Sequence, residues 1–220
     1  MPITTEPEAR SAMHHAAGAG LATTVHAIGD AAVRRALDLV EQLPQVALPH
    51  RIEHFQCVHP SDLGRAAQAG VVVSMQPAHL LTDIPLVDRY WGDRGAGAYA
   101  FATLLRQGTH LVFGSDVPVA SLNPLEGIYA ALERRALDGT PTRGWQTEER
   151  IGFAEALRGY TTNAAAAAGA LQRRGKLAPG FDADLVAWSM DPAAERNDGE
   201  AVRSGRALLT VVGGAVVMQR

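Results

Sequence analysis

Four stretches of the chain each carry, at or near a strand's carboxyl end, a residue able to bind a metal ion or move a proton. These are His26 in "TTVHAIGD", His54 in "HRIEHF", His79 in "VVVSMQPAH" and Asp116 in "THLVFGSD". Neutral imidazoles and a carboxylate are the donors that cations such as Zn2+ accept. An aspartate beside such an ion can also take up and return a proton. Any one of these histidines, read alone, is equally a hydrogen-bonded core or turn residue. His26, His54 and Asp116 share one placement, however, because each lies at or near the carboxyl end of a short run that reads as a strand. That repetition favours a site over three unrelated turns.

The elements that would carry these residues alternate. The runs "GLATTVH" (20–26), "HRIEHF" (50–55), "VVVSMQP" (71–77) and "THLVFGSD" (109–116) read as strands. After the first, Asp30 can cap a helix whose apolar positions Val33, Leu37, Val40 and Leu43 keep helical spacing. After the second, Ser61 offers a cap and Gly70 a stop. A long segment rich in Pro, Asp and Gly follows the third and reads as irregular up to a helix in "AYAFATLLRQG" (98–108). A further helix is expected over 125–137. Strands separated by helices imply a parallel α/β sheet, whose chemistry collects at the strands' carboxyl ends.

Two more helices are expected in "TEERIGFAEALRGY", capped by Thr147, and "TTNAAAAAGAL". The apolar period then drops to two. A strand near 184–188 and a hairpin turning at Gly213 and Gly214 make 176–220 a small β segment, distinct from an α/β part over 1–175. No repeat of 20–50 residues is visible.

Composition narrows the partners. The 220 residues are 47% hydrophobic, enough for a buried core, and the net charge of -3 with scattered basic residues argues against nucleic acid. No apolar run approaches the roughly 20 residues of a membrane span, and the opening "MPITTEPEAR" lacks a signal-peptide pattern. The single cysteine, Cys57, allows no internal disulfide and suits a small buried residue, so a cytoplasmic protein is expected.

"HAIGD", "HRIEH", "VVSMQPAH", "GSDVPV", "EALRGYTTNAAAAAG", "GKLAPGFDADLV" and "TVVGGAVV" follow one another in an order and spacing that resembles the amidohydrolase superfamily. The likeness is to amidohydrolase family 3, which includes N-substituted formamide deformylase-like enzymes. It implies a metal-dependent hydrolase on a (β/α)8 TIM-type barrel with a β-sandwich built from both chain ends. This chain then resembles the carboxyl-terminal portion only, a partial barrel equivalent to strands 5 to 8 followed by a small β-sandwich segment. By the same resemblance His26 and His54 are metal ligands from strands 5 and 6. Asp116 is the strand 8 ligand and general base and acid, and His79 faces the substrate. Gln76 and Trp91 would join it in substrate binding, although Trp91, Tyr90 and Tyr99 can equally pack their loop. Asp30 and Glu53 would orient ligands, or Asp30 be a plain helix cap.

The chain also departs from that pattern. The family's H-x-H pair and its strand 4 lysine have no counterpart here. His14 and His15 are adjacent in an expected helix, pointing about 100° apart, and Lys176, the single lysine, lies in the β segment. The resemblance therefore implies one weakly held divalent metal, zinc by its donors, or none. It also implies a small-molecule substrate and an open apolar half-barrel face, covered in a homo-oligomer or by a missing amino-terminal half. The alternative is a catalytically inactive fragment or assembly module.

Overall fold

β-branched residues suit extended backbone, and the runs containing Val25, Ile52, Val72 and Val73 form strands of a four-stranded sheet. The computed structural model describes residues 4–191 and 199–220. The strands are β1 (Thr24–Ala27), β2 (Arg51–His54), β3 (Val72–Met75) and β4 (His110–Phe113), in the order β1-β2-β3-β4. β2 runs parallel to both β1 and β3, as the alternation requires. The chain divides into two compact units, Met1–Met75 with Pro85–Val112 and Gln76–Ile84 with Phe113–Arg220.

In the first unit α1 (Glu6–Gly18) leads into β1, and α2 (Asp30–Val40) packs on β1 through a face that buries Val33, Ala36, Leu37 and Val40. α3 (Arg65–Gln68) packs on β3. Fully buried Ala27, Ile52 and Val73 make the apolar side of the strands. Register places Thr24 beside Arg51 and His26 beside Glu53, so these four share the opposite side. Thr24 and His26 are exposed and Arg51 and Glu53 half-buried. That side is thus polar at β1 and β2, and buried Val72 and Ser74 continue it at β3.

Several local expectations are corrected. The segment after β3 is not irregular: α4 (Leu80–Tyr90) forms there, with Pro85 inside it, followed by a 3-10 stretch over Gly92–Gly97. Leu80, Leu81, Ile84 and Val87 are buried at helical spacing, and that face outweighs the hydrogen bond a mid-helix proline removes. The helix expected over 98–108 is shorter, α5 (Phe101–Arg106), because Tyr99 turns the chain with φ +53. Ser61 is not a helix cap: it lies in a 3-10 turn, Pro60–Asp62, whose cap is the His59 side chain accepting from Ser61 N at 3.2 Å.

In the second unit α6 (Pro124–Glu133) is capped by Asn123, whose side chain accepts from Leu125 N at 3.1 Å. It stops before the expected 137, because Arg134 adopts φ +51. The buried Arg134 then donates from Nε to the Trp145 carbonyl at 2.8 Å and stacks over the indole at 5.1 Å, tucking Trp145 inward. Thr147 opens a 3-10 turn, not a helix, and α7 (Phe153–Tyr160) is capped by Gly152, with the Glu155 carboxylate accepting from Gly152 N at 2.7 Å. α8 (Thr162–Ala167), β5 (Leu185–Trp188), α9 (Gly199–Arg203), β6 (Ala207–Val212) and β7 (Ala215–Gln219) complete the chain. The last three strands form an antiparallel sheet in the order β5-β6-β7. Its hairpin turns at Gly213 and Gly214 with φ +56 and +82, a pair of left-handed values that glycine accepts without strain. Among the described residues no helix is long and apolar enough to cross a membrane.

Candidate metal centre

His26 lies one residue before the end of β1, and His54 is the last residue of β2. Strict alternation would place them on opposite sides of the sheet, since His54 is registered with Ala27 and His26 with Glu53. The backbone overrides this. His54 has φ +70, and Phe55 N bonds back to the Glu53 carbonyl at 3.0 Å, a γ-turn centred on His54. The two imidazoles meet edge to face with ring centres 4.3 Å apart. One ion could accept a nitrogen from each, at about 2 Å per bond. Phe55 follows with φ +47. Left-handed backbone at non-glycine residues costs about 1–3 kcal/mol each and survives only where the surroundings enforce it.

In the second unit His79 ends a 3-10 turn, Pro77–His79, that packs against α6. Asp116 lies three residues beyond β4, with φ +56 and its carbonyl accepting from Val119 N at 2.8 Å. His79 Nε2 stands 3.8 Å from Asp116 Oδ2, the imidazole half-buried and the carboxylate more open. Gln76, six per cent exposed, caps the same turn. Within the first unit the geometry brings His26 to His54, and within the second it brings His79 to Asp116.

The supporting residues differ from expectation. Glu53 does not reach a histidine; its carboxylate takes the Arg51 guanidinium at 2.7 Å. Asp30 is the first residue of α2, not its cap, which is Gly29. Its carboxylate accepts from Ala31 N at 2.8 Å and takes the Arg94 guanidinium through Nε at 3.0 Å. That hydrogen bond holds the Asp30 carboxyl below the ordinary aspartate range. Arg94 carries no signal in "WGDRGAG" that marks it as a partner 64 residues from Asp30.

Trp91 is half-buried at the start of the 3-10 stretch, Tyr90 is exposed, and Tyr99 is buried against Phe101, so Tyr99 packs the core. His14 and His15 are both exposed on α1, a solvated face. Cys57 is one per cent exposed, and burial pushes its thiol up to about 11. Its thiolate at pH 8 is then about a hundredfold scarcer than that of an ordinary cysteine. Alkylation by iodoacetamide at pH 8 should be slower than for a free thiol by at least that factor and should recover in denaturant. A thiol that reacts at the free rate in the folded protein would contradict the burial.

A sequence profile of the amidohydrolase family matches residues 1–218. The chain belongs to that family. Putative amidohydrolase YtcJ of Bacillus subtilis (strain 168) is 33% identical to this amidohydrolase-family chain over 177 residues, 80% of the chain and 34% of YtcJ. N-substituted formamide deformylase of Arthrobacter pascens is 25% identical over 206 residues, 91% of the chain and 37% of the deformylase. The crystal structure of an uncharacterized metal-dependent hydrolase from Pyrococcus furiosus matches with TM-score 0.68 and 34% identity, over 82% of this chain and 36% of that one. The chain spans about a third of the length of these relatives.

Proposed function

We propose that the chain is the carboxyl-side share of a metal-dependent amidohydrolase that cleaves the carbon–nitrogen bond of a small amide or formamide. The observation that carries this reading is the ring contact of His26 and His54, two imidazoles drawn together at the exits of adjacent parallel strands by a strained turn. The donors fit a divalent cation of zinc's class: neutral imidazoles, with the Asp116 carboxylate as third ligand by family likeness. Such an ion would supply a Lewis acid and a water of lowered pKa. Asp116 accepts the proton of the attacking water and hands it to the leaving nitrogen. His79, beside that carboxylate, donates a hydrogen bond to the oxygen on which charge develops. Gln76 and Trp91 contact the substrate.

In this reading residues 1–175 are a barrel share equivalent to strands 5 to 8, and residues 176–220 are a sandwich share. The family's H-x-H pair and lysine come from a second polypeptide or from the amino-terminal part of a longer chain. The Arthrobacter relative's name supports a formamide as the first substrate to try.

Titration with Co2+ or Zn2+ tests the reading. One ion per chain is expected. His26→Ala and His54→Ala should each weaken it by more than the roughly 10–100-fold that losing a neighbouring hydrogen-bond partner costs, with the circular dichroism unchanged. No bound ion, or binding indifferent to both substitutions, would overturn the proposal and leave the inactive module.

A further inference from the structure

In the first unit three chain segments lock onto one another just beyond the strand ends. The exit of β1 accepts from the exit of β2, Phe55 N to Ala27 O and Cys57 N to Ile28 O, both at 2.9 Å. The exit of β2 in turn meets residues 94–99. Val58 N donates to Gly97 O at 2.9 Å, Tyr99 N to Gln56 O at 2.8 Å, and the Cys57 thiol to Arg94 O at 3.4 Å. Arg94 then reaches back to the exit of β1, donating from Nε to Asp30 Oδ2 at 3.0 Å and from its terminal nitrogen to Oδ1 at 2.5 Å. The ring of segments is closed by this two-pronged contact, the geometry in which an arginine fixes a carboxylate's orientation as well as its charge.

The β2 exit held in this ring carries the γ-turn at His54 and the left-handed Phe55. Strained backbone of this kind relaxes unless its surroundings over-determine it, and relaxation would turn His54 back toward the side of Ala27. We infer that Arg94 and Asp30 form a positioning pair for the His26 and His54 imidazoles. The pair holds the segments that keep the turn strained and the rings in contact. Its catalytic importance rests on the metal reading above, whereas its effect on the rings does not. The Arg94 side chain is 64% exposed, and exposed ion pairs add little to global stability. Removing the pair should therefore disturb the rings without unfolding the protein.

The test uses the whole chain without metal, following the imidazole Cε1–Hε1 signals by NMR. In Arg94→Gln and Asp30→Asn the signals of His26 and His54 should shift and broaden, and their mutual ring contact should weaken. His50 is the internal control. At the other end of β1 and β2, its Nδ1 accepts from Thr23 N at 3.1 Å and its Nε2 meets Pro44 O at 3.1 Å, and its signal should not move. Arg94→Lys, which keeps the cation, should restore much of the wild-type pattern. Unmoved His26 and His54 signals, or a His50 signal that moves as much as theirs, would overturn the inference. Co2+ added to the wild type serves as a separate arm: if it leaves the His26 and His54 signals untouched, the metal reading fails while the positioning pair still stands or falls on the metal-free spectra.

Discussion

On the proposed hydrolase reading, Asp116→Asn is expected to lower the turnover of a simple N-substituted formamide about a thousandfold in the metal-loaded assembly that includes the amino-terminal ligands, within the range that general acid–base catalysis contributes. The substitution is chosen for its backbone as much as for its chemistry. Asp116 sits at φ +56, a region that asparagine tolerates at least as well as aspartate and better than alanine. The turn closed by Val119 N should survive, so the loss reports on the missing proton acceptor. An amide oxygen can still face an ion or His79, but it cannot carry a proton from the attacking water to a leaving amine. The fall should therefore appear in kcat, with KM changed little. Equal turnover by Asp116→Asn and the wild type would remove Asp116 from the chemistry.

The second large effect is structural. A Cβ at position 97 would stand 1.9 Å from the Val58 carbonyl oxygen and 3.0 Å from its carbon. Both are backbone atoms, so no side chain can swing aside. Gly97→Ala must push apart the two segments joined by the Val58 N to Gly97 O bond and by the bridge of Cys57 to Ala98. Overpacking of this kind costs about 3 kcal/mol, which lowers the melting temperature of a chain this size by about 6–12 °C. Gly29→Ala is the control, since a Cβ there meets nothing within 4 Å. Thermal unfolding followed by circular dichroism distinguishes them, and equal melting temperatures would refute the close approach.

Local signals reached a good part of this molecule. The short runs around Val25, Ile52, Val72 and Val112 became β1 to β4 because β-branched and large apolar side chains fit a pleated, half-buried surface. The Gly213 and Gly214 turn formed because paired left-handed values need glycine. His26 and His54 stood out because strand ends are visible in the same pattern. α4 was hidden by Pro85 and its aspartates, although Leu80, Leu81, Ile84 and Val87 carry helical spacing. There the burial of a face decided against a breaker, and a single residue's preference was the weaker guide.

The sequence by itself determined the alternation of strands and helices, the antiparallel tail, the family, and which residue types could hold an ion or carry a proton. All of these follow from interactions between near neighbours or from motif order. Only the tertiary structure decided that His54 faces His26, that the open side of β1 and β2 is polar, and that Arg94 belongs to Asp30. Each of those depends on segments tens of residues apart meeting in space. A strained turn or a distant ion pair is paid for by contacts that no local stretch of sequence contains.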